Sequence, residues 1–544
     1  MKCIPATLVG ITLFFGAMLP AKAQRRDLED PKQLIHARKA TFLGGSGTEY
    51  LVGANIRSDG RIVVVGSALG PNLALPGHAK VPLLGLKDGV VSSDISFYEK
   101  ALSPIPLGLP AEKLRERQRM RSRTQICNDP GSTPFFAILS SDVKTVEKAA
   151  RFPWSSATIS SVAFDSDGAI YLTGFANKHF DAVSKAEPLP GDGDGRVYVL
   201  KVNAELNRVL WSRVFPSKAV KPILQVIKGN KLVYLGRSRR IFSTDGKLLS
   251  QTDGLAAGIK AINPVTGAFA IGGDRNSGTG REPWRQPYLF LYDSDGKLEA
   301  KLYQLPGIAV GMDSFRLVSD SAVRGLRYTP DGKELWIAAW SDGGNSIMNL
   351  QPYSLTERIA DKGLGLTMAG AGATSCCYFL RMNLETMKIE NRTIWSGYFK
   401  GVQGARMYSL SVAPDGSLIA GGSIGKGMIT TSNHVYPGKE RTKDWAVGGP
   451  AISIFKRTLD RIRFSSPIAA TGEMRLLPRN RYEGEAFTFA TGTVKGKNRV
   501  VAVSIATREQ IDGIGQRVSP PLLQPLQSKF GGGACDGYLM VFDW

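Results

Sequence analysis

Along this chain, short runs of alternating apolar positions break at Asp-Gly and resume as a second apolar run. The form recurs as "NIRSDGRIVVVGSA" (55–68), "SSVAFDSDGAIYLTG" (160–174), "LRYTPDGKELWIAAW" (326–340) and "LSVAPDGSLIAGGS" (410–423). Asp-Gly between period-2 segments predicts a β-hairpin, here read as a two-residue turn. Weaker copies are "ILQVIKGNKLVYLGRS", "IKAINPVTGAFAIGGD" and "MRLLPRNRYEGEAFTFATG". Seven hairpins are therefore expected, with turns near Asp59-Gly60, Asp167-Gly168, Gly229-Asn230, Thr266-Gly267, Asp331-Gly332, Asp415-Gly416 and Glu483-Gly484. Glycine ends the second strand in most copies (Gly66, Gly174, Gly236, Gly272, Gly421, Gly492), as crowding near a central axis would require.

A second unit follows each hairpin. It reads "RVYVLKVNAELNRVLWSRVF", "PYLFLYDSDGKLEAKLYQL", "CYFLRMNLETMKIENRTIWSG" and "AISIFKRTLDRIRFSSP", again strand, turn, strand. Two hairpins per repeat make a four-stranded unit, with strands a to d from inside to outside, and seven units make an all-β, seven-bladed β-propeller. The last repeat ends after one strand, "FGGGACDGYLMVFDW". The strand it lacks is expected at the other end, in "LIHARKATFLGGSG" (34–47), so the N-terminal strand closes the C-terminal blade and leaves no free edge. An open array starting mid-repeat is the alternative.

Between strands b and c lie insertions at about 68–133, 341–376, 424–450 and 503–534. Those loops leave the ring on the same face as the d–a crossovers, so the extra residues are expected to gather around one mouth of the channel, where a ligand would sit. The propeller is assigned residues 34–544, after a linker at 24–33.

The first 23 residues have Lys2, an apolar stretch from Ile4 to Leu19 and a small-residue Ala21-Lys22-Ala23 site. That is the form of a secretory signal peptide rather than a membrane anchor, and it implies a secreted or periplasmic protein. Formal net charge is +22. Cleavage would remove Lys2 and Lys22 and leave about +20, which favours an acidic polysaccharide or a cell-surface polyanion as partner. A solubility habit of exported proteins is the plainer reading, and a protein partner is a further option.

"GGSGTEYLVGANIRSDGRIVVVGSA" and "FGGGACDGYLMVFDW" resemble the bacterial seven-bladed β-propeller repeat family of exported proteins. The matches are Gly44-Gly45, Asp167-Gly168, Tyr171 with Thr173-Gly174, and Gly532-Gly533 with Asp536. They are good in blades 1, 2 and 6 and fragmentary in blades 3 and 4. The resemblance implies the fold and export. It transfers no catalytic residue, because the shared positions are structural.

Candidate chemistry is sparse. Export would permit disulfides among Cys127, Cys376, Cys377 and Cys535, and spacing cannot choose among the three pairings. One pattern joins Cys127 to Cys535 and leaves Cys376–Cys377 as a vicinal pair. That pair, with "VYVLKVNAELNRVLWS", is similar to quinoprotein dehydrogenases, although their repeated tryptophan motifs and acidic calcium ligands are not seen. "PAEKLRERQRMRSRTQ" (110–125) reads as a basic helix, whose Arg115, Arg117, Arg119 and Arg121 suit sulfate, carboxylate or phosphate, or simply a solvated insertion. In "GGDRNSGTGREPW", Asp274, Arg275 and Trp284 could form a sugar subsite, an aromatic platform flanked by hydrogen-bonding groups. His36, His78, His179 and His434 show no metal-binding spacing, so no metal and no cofactor are expected. No nucleophile elbow, haem site or phosphate-binding loop occurs. The expected role is a binding scaffold. The alternatives are a carbohydrate-active lyase or hydrolase, which needs two carboxyl groups about 5–9.5 Å apart, and a quinoprotein oxidoreductase.

Overall fold

The computed structural model describes residues 28–544, apart from 46, 70–72, 83, 85–131, 153–156, 158, 176–186, 192–194, 218–221, 277–282, 304–316, 361–362, 365, 367–374, 399–401, 426, 436–448, 469–486, 508–519 and 532–534. Residues 1–27, the basic segment with Arg115, Arg117, Arg119 and Arg121, Cys127 and His179 lie outside the described residues.

Among the described residues, seven sheets, each with four antiparallel strands in a-b-c-d order and blade 2 with a short parallel fifth strand, form the seven blades. Their inner strands are Thr48–Ile56, Ser161–Phe164, Ile223–Ile227, Ile259–Ile262, Ser321–Tyr328, Ala405–Val412 and Thr488–Val494. Each touches the next, and the seventh touches the first. Closure is as the sequence predicts. Ala37–Leu43 pairs antiparallel with Cys535–Asp543, with Ala40 opposite Met540 and Phe42 opposite Tyr538.

The hairpins form, but their loops differ in detail. At Asp59-Gly60 the Gly60 N–H donates to the Arg57 carbonyl (2.8 Å) and the Arg57 N–H to the Arg61 carbonyl (2.9 Å). The loop is thus three residues long, a type I turn closed by glycine at φ +86°. Asp59 accepts from the Arg61 N–H at 2.9 Å, which explains the Asp before the Gly. The seventh hairpin corrects the sequence reading. Its strands are Thr488–Val494 and Lys497–Thr507, and its turn is Lys495-Gly496, not Glu483-Gly484. Gly492 therefore belongs to the inner strand. In blade 1 the second strand runs on to Leu69, past Gly66, but Gly66 is crowded within its sheet: a Cβ there would lie 2.4 Å from the Phe135 ring and 2.6 Å from the Tyr50 carbonyl oxygen.

The insertions leave from one face, yet their described parts do not gather at the mouth. They run over the rim and cover outer strands, whose free N–H and C=O groups would otherwise face water as an edge. Leu84 and Pro82 bond both backbone groups of Arg151 in blade 1. Glu187–Pro188 pairs in parallel with Arg213–Val214 in blade 2. The Gln351 side chain bonds the Ile389 N–H and carbonyl in blade 5. Thr431 bonds Ser465 in blade 6, and Leu523 bonds Ala40 in blade 7.

On the opposite, hairpin-turn face, side chains tie each blade to its neighbour's turn. Arg57 donates to the Ala204 carbonyl (2.7 Å), Trp211 to Thr244 (2.9 Å), and Arg239 to Ser294. Asn263 reaches Gly332 (2.8 Å) and Asn391 reaches Thr458 (3.2 Å). Trp544 donates to the Asp415 carboxylate (2.7 Å), and Arg499 completes the circuit by donating to the Ser141 carbonyl (2.7 Å). Side-chain donors on carbonyls, and on one carboxylate, give these clamps a direction as well as strength.

Candidate functional site

On the insertion-bearing face, the chain gathers charged and aromatic groups between blades 4 and 6. The inner strand of blade 5 carries a bulge: Val323 faces Ala339 and Gly325 faces Ala338, so Arg324 has no cross-strand partner. A bulge re-aims the extra side chain. Here it turns Arg324 towards blade 4, where it meets the Asp274 carboxylate at 2.8 Å, both side chains largely buried. Asp274 is thus present in the cluster but committed to an ion pair. Sequence reading found Asp274 and missed its partner, because a bulge leaves no mark in an apolar alternation.

Arg275 and Trp284 occupy the tip of the same blade-4 hairpin and are exposed, Trp284 at 53%. Next to Trp284, Arg285 places its guanidinium 5.9 Å from the centre of the Trp340 ring, and its N–H donates to Asp320 at 2.9 Å. Arg406 is exposed at the start of the blade-6 inner strand. Its charge and that of Arg324 both pull the Tyr408 hydroxyl down against the burial that holds it well above its ordinary range. Among the described residues, this face of blades 4 to 6 thus carries the guanidinium groups of Arg275, Arg285, Arg324 and Arg406, with Asp274 and Asp320 as counter-charges and indoles from Trp284 and Trp340. Planar guanidinium forks beside indoles suit a sugar ring bearing carboxylate or sulfate.

The cysteines correct an expectation. Cys376 and Cys377 are free and buried in a regular strand that pairs with Glu334–Ser341. Successive strand residues point to opposite faces. Cys376 packs between blades 4 and 5, and Cys377 between blades 5 and 6. The two sulfurs are therefore on opposite sides of the sheet and cannot form the vicinal bridge that the quinoprotein reading required. Burial pushes the Cys377 thiol up to about 12, away from thiolate reactivity. Cys127 lies outside the described residues, and nothing is described of the Cys535 side chain.

Among the described residues, no group of three or more His, Cys, Asp or Glu could hold a metal ion. His78 and His434 bond the Val146 and Thr431 carbonyls. Among the described residues, Glu49 is the carboxyl group raised furthest, to about 8, mainly by burial, with the nearby Asp536 adding to it. Glu49 accepts from the Gly45 N–H at 3.1 Å. Asp536 accepts from the Gly531 N–H at 2.7 Å. This pair joins blade 7 to blade 1 with both residues buried, so it offers a sugar no access and does not serve as a glycosidase pair.

No family model matches the chain, and no curated protein matches it. Solved structures align only at low likeness. A Kuenenia stuttgartiensis hydrazine synthase aligns at 10% identity over 60% of this chain and 74% of that one, with TM-score 0.32. A Bacteroides caccae protein of unknown function aligns at 12% identity over 61% and 89%, TM-score 0.29. The Myceliophteria thermophila Cps50 (Swd1) β-propeller domain aligns at 11% over 67% and 86%, TM-score 0.33. None bears on what this chain binds.

Proposed function

We propose that this β-propeller is an exported, non-enzymatic binding scaffold that takes an anionic glycan at the mouth above blades 4 to 6. The observation that carries this reading is the bulge that turns Arg324 towards Asp274, beside the Arg285–Trp340 stack and the exposed Trp284. Indole faces give a sugar ring apolar contact, while Arg275, Arg285 and Arg406 supply forks for its acidic substituent. The leader at 1–23 supports secretion and accords with a ligand of the extracellular or periplasmic space. Among the described residues, no helix is long and apolar enough to cross a membrane.

The test is retention on heparin and a panel of acidic glycans at low and high salt. Wild type should be retained and released by salt. The Arg285→Ala, Arg406→Ala double variant should bind at least tenfold more weakly, and Trp284→Ala should lose affinity with little change in salt dependence. Unchanged binding in these variants, with loss on neutralising Arg115, Arg117, Arg119 and Arg121 instead, would move the contact to the basic insertion. Absence of glycan binding would leave a partner protein as the ligand class.

A further inference from the structure

The face opposite the mouth holds a cavity of about 800 Å³ at the closure seam. Five parts of the chain build it: the start of the N-terminal strand at Ala37–Lys39, the blade-1 turn at Ser141–Val143, the blade-7 turn with Arg499 beyond it, the rim segment at Leu522–Gln524, and the C-terminal strand at Val541 and Asp543. Its floor is mixed, with three valines beside the Arg499–Asp543 pair. Val143, Val494 and Val541 are buried there, and Leu522 and Leu523 form a half-buried wall. Its rim is mainly basic, with Arg38, Lys39, Lys495 and Lys497, and its one rim carboxylate, Asp142, is paired with Lys144 at 3.2 Å.

These cations differ in how they are occupied. Arg499, beneath them, is a structural fork: it grips both Asp543 oxygens at 2.7 Å and donates to the Ser141 carbonyl. Arg38 stands 3.5 Å from Asp543 and is 55% exposed, and Lys39 donates to the Gln524 carbonyl at 3.4 Å. Lys495 and Lys497 are exposed and, among the described residues, have no carboxylate partner. They flank Gly496 in a two-residue turn in which Lys495 takes φ +50° and Gly496 φ +75°. A left-handed backbone disfavours lysine relative to asparagine or glycine, so turn geometry does not explain the residue found there.

We infer that this seam cavity is a second binding site, distinct from the mouth, for an organic anion with an apolar body, such as a medium-chain fatty carboxylate or alkyl sulfate. A bare phosphate or sulfate would find no converging donors over the floor valines and the leucine wall. A hydrocarbon chain gains about 25 cal/mol for each Å² it buries there, while its head group meets the lysine rim. The volume lies within the range of small-molecule sites, about 300–1,000 Å³. A cationic amphiphile of equal length has the same hydrocarbon to bury and meets the wrong charge.

The test titrates the full-length protein calorimetrically with decanoate below its micelle concentration, with decyltrimethylammonium and inorganic sulfate alongside. The expected result is saturable one-to-one decanoate binding, with neither control binding at that site. Lys495→Asn with Lys497→Glu keeps the turn geometry and should weaken decanoate at least tenfold. Leu523→Asp should do the same, and unfolding curves check that each variant is folded. If Leu523→Asp does not fold, the lysine pair decides. No saturable binding, equal affinity in the lysine variant, or equal binding of decyltrimethylammonium would each overturn the assignment.

Discussion

Glu49 is a carboxyl group that folding drives out of water next to another carboxyl group. Its pKa in the folded chain is about 8, against 4.5 unperturbed. Between those values the folded chain holds a proton that the unfolded chain has lost, so stability falls as pH rises from about 4.5 to 8 and levels off above. A tenfold change in proton affinity is worth about 1.4 kcal/mol, which sets an upper bound on the order of 5 kcal/mol. Glu49→Gln should therefore flatten urea-unfolding stability between pH 5 and 8 and leave the variant more stable than wild type at pH 8.5. A wild-type profile rising over that range would contradict the buried, protonated Glu49. Lys260, pushed down to about 8 mainly by burial, adds a slope of the opposite sign above that pH. The comparison of wild type with Glu49→Gln isolates the carboxyl group.

At the scale of elements, crowding and chemistry both follow from strand geometry. Gly66→Ala puts a methyl group against Phe135 and the Tyr50 carbonyl and should cost about 1–3 kcal/mol, read from denaturant midpoints. Cys376 and Cys377 lie on opposite faces of one strand. After denaturation without reductant, peptide mapping should find both thiols alkylated, and a recovered Cys376–Cys377 disulfide would contradict the strand. Much of this was legible beforehand: Asp-Gly marked real hairpins, and "LIHARKATFLGGSG" marked the closing strand. Other features were not. The seventh turn uses Lys495-Gly496, in which lysine takes a backbone conformation that sequence alone does not suggest. The mouth depends on a bulge at Arg324 that no periodicity announces, so Arg285, Arg324, Trp340 and Arg406 escaped notice while Asp274, Arg275 and Trp284 did not. The insertions were expected at the mouth because loop exits are fixed by topology. Where they travel next is set by the hydrogen-bonding needs of outer strands. Replacing residues 347–364 with a short turn should leave the ring folded but uncover Ile389–Trp395, giving association that grows with concentration in light scattering.

For the whole molecule, the net charge of +22 has more than one use. Arg57 and Arg239 commit donors to carbonyls of a neighbouring blade, holding the ring without needing a carboxylate for each charge, and Arg499 does the same while paired with Asp543. Exposed basic residues at the mouth and the seam are those assigned to ligands in the two proposals above. Both sites presuppose a single ring, because the seam exists only where the two ends of the chain meet. Hydrogen–deuterium exchange on the intact protein tests that closure most directly. Amides of Thr41–Leu43 should exchange as slowly as those of Tyr538–Phe542, in the same protected class as the other blades. Exchange of Thr41–Leu43 at loop rates, with the remaining blades protected, would contradict the ring.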